Sequence, residues 1–228
     1  AISFEWQKAG YNRLVPRIES IRTRVLQGAS FEIVVQSILA GYQLSPRFRL
    51  HQTTTIEGSG DVTLTVGISP VARDLPPLPR FGLELTMPAG FERVAWYGRG
   101  PHESYADRKE STQVGIYTGT VDEQYVPYVR PQENGNKADV RWLALTNNRK
   151  AGLFITGDQL LNVSALHYTV ADLSTAKHAH ELTRIPQTVV HVDHLQAGLG
   201  SQSCGPAPLP QYLIDPKPME FTVLLRPI

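Results

Sequence analysis

Two stretches of this 228-residue chain combine aromatic rings, carboxylates, arginine and glycine at close spacing. The first runs Trp96-Tyr97-Gly98-Arg99-Gly100-Pro101-His102-Glu103-Ser104-Tyr105-Ala106-Asp107-Arg108. The second runs Val126-Pro127-Tyr128-Val129-Arg130-Pro131-Gln132-Glu133-Asn134-Gly135-Asn136-Lys137. Such a mixture suits sugars, because aromatic faces pack on the C–H patches of a sugar ring while Glu, Asn and Arg take its hydroxyls. Glu103 with Arg108, and Glu133 with Asn134, could equally tie loops to a scaffold. The residues alone leave both readings open.

A third segment, Gly198-Leu199-Gly200-Ser201-Gln202-Ser203-Cys204-Gly205-Pro206, fails as a dinucleotide loop, since Pro206, Pro208 and Pro210 forbid the helix that must follow. A nucleophilic Cys204 would need a lowered thiol pKa and a nearby base such as His191 or His194. A glycine-rich loop with an inert thiol is the simpler expectation. The histidines pair as His178/His180 and His191/His194, with Asp193 between the latter. Zinc is their obvious chemistry. Yet 191 and 194 point to opposite faces of a strand, and 178 and 180 stand about 200° apart on a helix. Hydrogen-bonded structural histidines are therefore expected, and no metal site.

The elements that must position these groups show a period of two. Phe31, Ile33, Val35 and Leu39 are spaced by Glu32 and Gln36; Val62 to Ile68, Phe81 to Met87 and Met219 to Leu225 alternate likewise. Each run can bury one face of a strand and solvate the other. Glu57-Gly58-Ser59-Gly60-Asp61 reads as a hairpin and Leu75-Pro76-Pro77-Leu78-Pro79 as a stiff connector. The 18 Gly and 17 Pro that break these short runs favour packed antiparallel sheets over alternating β and α. One short helix is expected, over Asp172–Leu182, with Asp172 as its N-cap and Leu173, Ala176 and Ala179 at helical spacing. The strand pattern resumes at once after the prolines, so a single domain over residues 1–228 is expected.

Composition narrows the partners. With 22 Lys+Arg against 21 Asp+Glu, the net charge of +1 offers no basic stripe for nucleic acid. No run approaches the ~18 apolar residues of a membrane span. The lone Cys204 excludes an internal disulfide and a multi-cysteine zinc site. The opening Ala1-Ile2-Ser3-Phe4-Glu5-Trp6 has neither initiator Met nor signal peptide, which reads as a piece of something longer starting in mid-strand.

The motifs YGRGPHESYADRK, VPYVRPQENGNKADVRW and GLGSQSCGPAPLPQY, at 97–109, 126–142 and 198–212, closely resemble the C-terminal small-chain domain of family 2 β-galactosidases. The likeness runs from about Trp6 to Ile228. It implies an all-β fold, an antiparallel β-supersandwich of the galactose-mutarotase-like kind. It also implies a supporting role, closing one side of the active-site pocket and helping assembly. The family's catalytic glutamates sit on a (β/α)₈ barrel, which alone takes about 250 residues, too many for this chain to hold beside the sandwich. No catalytic residue and no cofactor are therefore expected here, the family's magnesium and sodium being held by the missing domains. The expected partners are those remaining domains and, weakly, galactose or a β-galactoside such as lactose, in a cytoplasmic enzyme whose parent is a homo-oligomer. The residues expected to line the sugar pocket are His102, Glu103, Glu133, Asn134, Ser203, Cys204 and Gly205. Family members carry a sugar-stacking Trp in the last loop, where this chain has Cys204. A thiol has no aromatic face, and Tyr212 is the candidate replacement. The Trp-Arg-Ala-Pro-type strand that opens the family's domain is missing from Ala1–Gly10, which leaves a sheet edge open.

Two other functions compete. An aldose mutarotase could draft His102, His178 or His180 with Glu103 or Glu133 for proton transfer at the anomeric carbon, on fold analogy. A non-catalytic carbohydrate-binding module would bind sugar without chemistry.

Overall fold

The computed structural model describes residues 2–200 and 205–228. Its strands hold 51% of the chain and its helices 12%. In chain order they are α1 (Ile2–Ala9), β1 (Leu14–Leu26), β2 (Ser30–Gly41), β3 (Phe48–Ile56), β4 (Val62–Pro70), β5 (Arg80–Met87), β6 (Arg93–Gly100), β7 (Gln113–Thr120), β8 (Lys137–Thr146), β9 (Gly152–Leu166), α2 (Val170–Thr175), β10 (Thr188–Gln196) and β11 (Met219–Pro227). The registered strand pairs are antiparallel, so the all-β class holds. No helix among the described residues is long and apolar enough to cross a membrane. Two compact units emerge: Ala1–Pro79 with Gly200–Arg226, and Arg80–Leu199 with Pro227–Ile228. The first division falls at the end of the proline connector.

In the first unit the strand order is β1-β2-β3-β4-β11. The four alternating runs read from sequence include β2, β4 and β11, and the predicted hairpin joins β3 to β4 through Glu57 N–H to Asp61 O, 2.9 Å. Phe221 stands opposite Val66, both buried. On the other face Thr65 and Thr222 share a 2.9 Å hydroxyl contact. Period two thus delivers one apolar and one polar face, as pleating requires.

The chain's opening differs from the expected mid-strand start. Ile2–Ala9 is helical, with Glu5 in the first turn and Lys8 in the last, each placed well for the helix dipole. Gly10, at φ +81°, ends it, a backbone geometry glycine adopts without strain. Trp6 Nε1–H and the Tyr11 hydroxyl then donate to the carbonyls of Pro77 and Pro76, at 2.7 and 2.8 Å. Pro76 and Pro77 carry no N–H and so cannot enter a two-way strand ladder, which leaves their carbonyls to side-chain donors.

In the second unit β7, β6, β8 and β9 lie side by side; β10 pairs with the end of β9 and carries β5. Its core includes Val140, Leu145, Ile155, Leu161, Val190 and Val192, all without exposed surface. The single helix expected over Asp172–Leu182 is corrected in extent and cap. Helix α2 starts at Val170, capped by Thr169, whose hydroxyl accepts from Asp172 N–H at 3.1 Å. It stops at Thr175, where the Ser174 and Thr175 hydroxyls bond back to the Val170 and Ala171 carbonyls. Such back-bonding competes with helix continuation. A separate 3₁₀ turn, Ala179–Glu181, follows. Leu173 and Ala176 are buried as their spacing suggested.

Candidate functional site

The sugar-like segments both leave strands of the second unit, the first at the end of β6 and the second just before β8. Glu103 is buried and holds them together. Its carboxylate accepts from Arg108 Nη2 at 2.5 Å, from Gly135 N–H at 2.8 Å, and from the Tyr128 hydroxyl. Asn134, 1% exposed, accepts from Val126 N–H at 2.9 Å and donates to Val126 O at 2.6 Å. Its amide therefore imitates one rung of a strand ladder within a loop that has none. Ser104 and Asn136 complete the seam: Ser104 Oγ accepts from Ala138 N–H at 2.9 Å, and Asn136 Nδ2 donates to Ser104 O at 2.7 Å.

Glu133 is more open, with 29% of its side chain exposed, and lies 3.4 Å from Arg80 on β5. Arg80 also reaches Asp193 on β10, at 3.1 Å. Burial pushes the Asp193 carboxyl up, against the pull of Arg80. Tyr105 has no exposed surface, and its phenol is raised by burial first, then by Glu133 and Glu103, so both glutamates converge on one ring. Lys137 sits beneath them, Nζ 5.2 Å from the Trp96 ring centroid; burial holds its ammonium down to about 8 while Glu103 pulls the other way. Lys137 closes the second sugar-like segment, whereas Arg80 and Asp193 are the groups that residue spacing did not single out as part of this cluster. Arg80 and Asp193 are far from it in sequence, and only the pairing of β5 with β10 joins them.

His102 is exposed, and its hydrogen-bond partner is Ser111, whose Oγ lies 3.0 Å from Nε2. Gly205 lies in an exposed bend. Ser203 and Cys204 fall outside the described residues. Just ahead of that loop, Leu199 N–H donates to Asp107 at 3.1 Å, which ties the loop's approach to the His102–Arg108 segment. Structural use of the histidines holds for His191, which lies between Ser164 Oγ on Nδ1, 3.2 Å, and Glu84 on Nε2, 3.1 Å. Burial, then the Arg80 charge, keeps that imidazole down to about 3, so it is neutral and donates to Glu84 from Nε2–H.

A cavity of about 560 Å³ lies in the first unit. Its floor is Gly67, with His51 and Glu220 its register partners on either side and Gln36 beyond His51. Glu220 Oε2 lies 3.1 Å from where a Cβ on Gly67 would stand. Sequence reading passed over this groove because its residues are spread over β2, β3, β4 and β11.

A family model described as the β-galactosidase small chain matches residues 2–225. A β-galactosidase of Vibrio cholerae is 33% identical over 97% of this chain and 21% of its own length. One from Lactobacillus delbrueckii subsp. bulgaricus is 34% identical over 96% of the chain and 22% of its length. One from Priestia megaterium is 38% identical over 65% of the chain. The chain thus spans about a fifth of the length of relatives matched along nearly all of it.

Proposed function

Because the chain belongs to the β-galactosidase small-chain family, we propose that it serves a β-galactosidase as a non-catalytic domain that completes one wall of the sugar pocket. The matched span carries this reading: nearly all of the chain, but a fifth of each relative. A retaining glycosidase needs two free carboxylates about 5–5.5 Å apart, whereas Glu103 spends its oxygens on Arg108, Tyr128 and Gly135. In this proposal Glu103 and Asn134 fix the shape of the wall, and His102, Glu133, Ser203, Cys204 and Gly205 meet a terminal β-galactoside such as lactose.

Magnesium, which takes oxygen ligands, would be held by the other domains. Among the described residues the one cluster of three ligating side chains contains two imidazoles, a poor match for it. The other domains also explain strand β1, the outer strand of its unit, where Ile18, Ile21 and Val25 are 57%, 57% and 80% exposed. Such a run of open apolar groups fits a covering partner.

The test is a nitrophenyl β-galactoside assay on the purified chain, alone and mixed with the remaining domains of a relative. The chain alone should be inert and the mixture active. Turnover by the chain alone that survives repurification would overturn the reading.

The groove over Gly67 favours carbohydrate binding as a second reading. His51 and Glu220 flank Gly67 with their backbones roughly 10 Å apart, two strand spacings, and the Glu220 carboxylate leans over Gly67, where it could take a sugar hydroxyl. NMR titration with galactose should shift the His51 and Gly67 resonances; shifts confined to other residues would exclude the groove.

A further inference from the structure

The turn after α2 gathers the chain's nitrogen ligands in a way its helical reading did not allow. With the helix stopped at Thr175, His178 is extended (φ −137°, ψ 150°) and Ala179–Glu181 forms the 3₁₀ turn. The two imidazoles, which helical spacing would hold about 200° apart, instead stack at 5.4 Å between centroids and 13° between planes. One ligand atom each from His178, His180 and Glu181 all lie within 4.8 Å of one another, and all three side chains are exposed.

We propose that His178, His180 and Glu181 form a binding site for a divalent transition-metal ion of the zinc class. The donor set selects the metal: two imidazoles and one carboxylate suit Zn²⁺, Ni²⁺ or Cu²⁺, and not Mg²⁺ or Ca²⁺, which take oxygens. Tetrahedral zinc with ligands at about 2.0–2.1 Å needs donors roughly 3.4 Å apart. The donors already lie within 4.8 Å of one another, and rotation of three exposed side chains is the motion available to close the remainder.

The turn is built in advance of any ion. Glu181 is fixed through both oxygens, Oε2 accepting from Lys177 N–H at 2.8 Å and Oε1 lying 2.8 Å from His178 Nδ1. Asp172 anchors both flanks: its carbonyl accepts from Ala176 N–H at 3.0 Å and its carboxylate from Thr183 N–H at 2.9 Å. Folding thereby orders the backbone of the turn, so that binding has only the three side chains left to order. Three protein ligands leave a fourth position for water or for a donor from another surface.

Titration of the folded chain with Zn²⁺ against a chromophoric chelator of micromolar affinity tests the site, with Co²⁺ absorption reporting its geometry. One equivalent should bind in the micromolar range or tighter, and Zn²⁺ should raise the thermal midpoint by mass action. His178→Ala, His180→Ala and Glu181→Gln should each weaken binding by about 10–100-fold, while His51→Ala leaves it unchanged. Metal-free melting of each variant reports whether it is folded, and His180→Gln, which keeps the side chain polar, replaces any alanine variant that is not. Failure to compete with the chelator, or full affinity in the His178→Ala/His180→Ala double variant, would overturn the proposal.

Discussion

The Arg80 guanidinium lies 3.1 Å from the Asp193 carboxylate, inside the second unit, where Asp193 is 1% exposed. Burial of that carboxylate without its cation would cost several kcal/mol. Arg80→Met should therefore destabilise the fold by about 3–5 kcal/mol near pH 8. The loss should shrink toward pH 5. Asp193 binds its proton more readily in the folded chain than at its ordinary value of 3.8, so its contribution to stability falls as pH rises above that value. Urea denaturation across pH measures this; a pH-independent loss would contradict it.

Gly82 is the register partner of Asp193 across β5 and β10. A Cβ at position 82 would stand 2.0 Å from Asp193 Oδ1 and 2.4 Å from its Cα. Gly82→Ala should thus cost at least the ~1–3 kcal/mol of an overpacked interior, whereas Gly90→Ala, with nothing within 4 Å, meets no clash and suffers only backbone strain. Equal losses in the two variants would sink the steric account.

His191 pulls the pH profile the other way. Its folded imidazole is held down to about 3 against an ordinary 6.5. The unfolded chain therefore binds more protons between those values, and stability is lost as pH falls through that window. His191→Gln should flatten the acid limb of the thermal-midpoint profile between pH 6.5 and 4. An unchanged slope would show that His191 charges without penalty in the folded chain.

Asn134 uses its amide at both ends against Val126. Asn134→Asp keeps the acceptor and removes the donor, leaving the Val126 carbonyl unsatisfied next to a new charge. A loss of about 1–3 kcal/mol follows for a buried unpaired group. Asn134→Asp should also reduce the activity regained on mixing with the remaining domains, through loop shape. Normal stability in this variant would remove Asn134 from the scaffold.

Exposed Ile21 and Val25 on β1 should matter little to the isolated chain and much to docking. Ile21→Asp with Val25→Asp should leave the unfolding free energy within about 0.5 kcal/mol of the parent, as for ordinary surface changes, while abolishing co-elution with the remaining domains. Undiminished co-elution would place the docking surface elsewhere.

The sequence by itself determined the all-β class, because period two needs only local information: each residue's face follows from its parity along a strand. It also carried the family through three loop motifs, and it placed β2, β4, β5 and β11 closely. Short-range chemistry without a period was harder to read. Helix α1 is too short for its apolar spacing to outweigh the strand pattern beside it, and α2 yielded its end to Ser174 and Thr175, whose hydroxyls compete for backbone carbonyls. What tertiary structure alone decided is which polar groups meet. Arg80 joins Asp193 and Glu133 from opposite ends of the second unit, Glu103 closes on Gly135, and Gly67 opens a floor between His51 and Glu220. Strand pairing and loop closure set those meetings, and they depend on contacts between residues tens of positions apart. Spacing along the chain cannot encode such contacts, because they join residues that no local period relates.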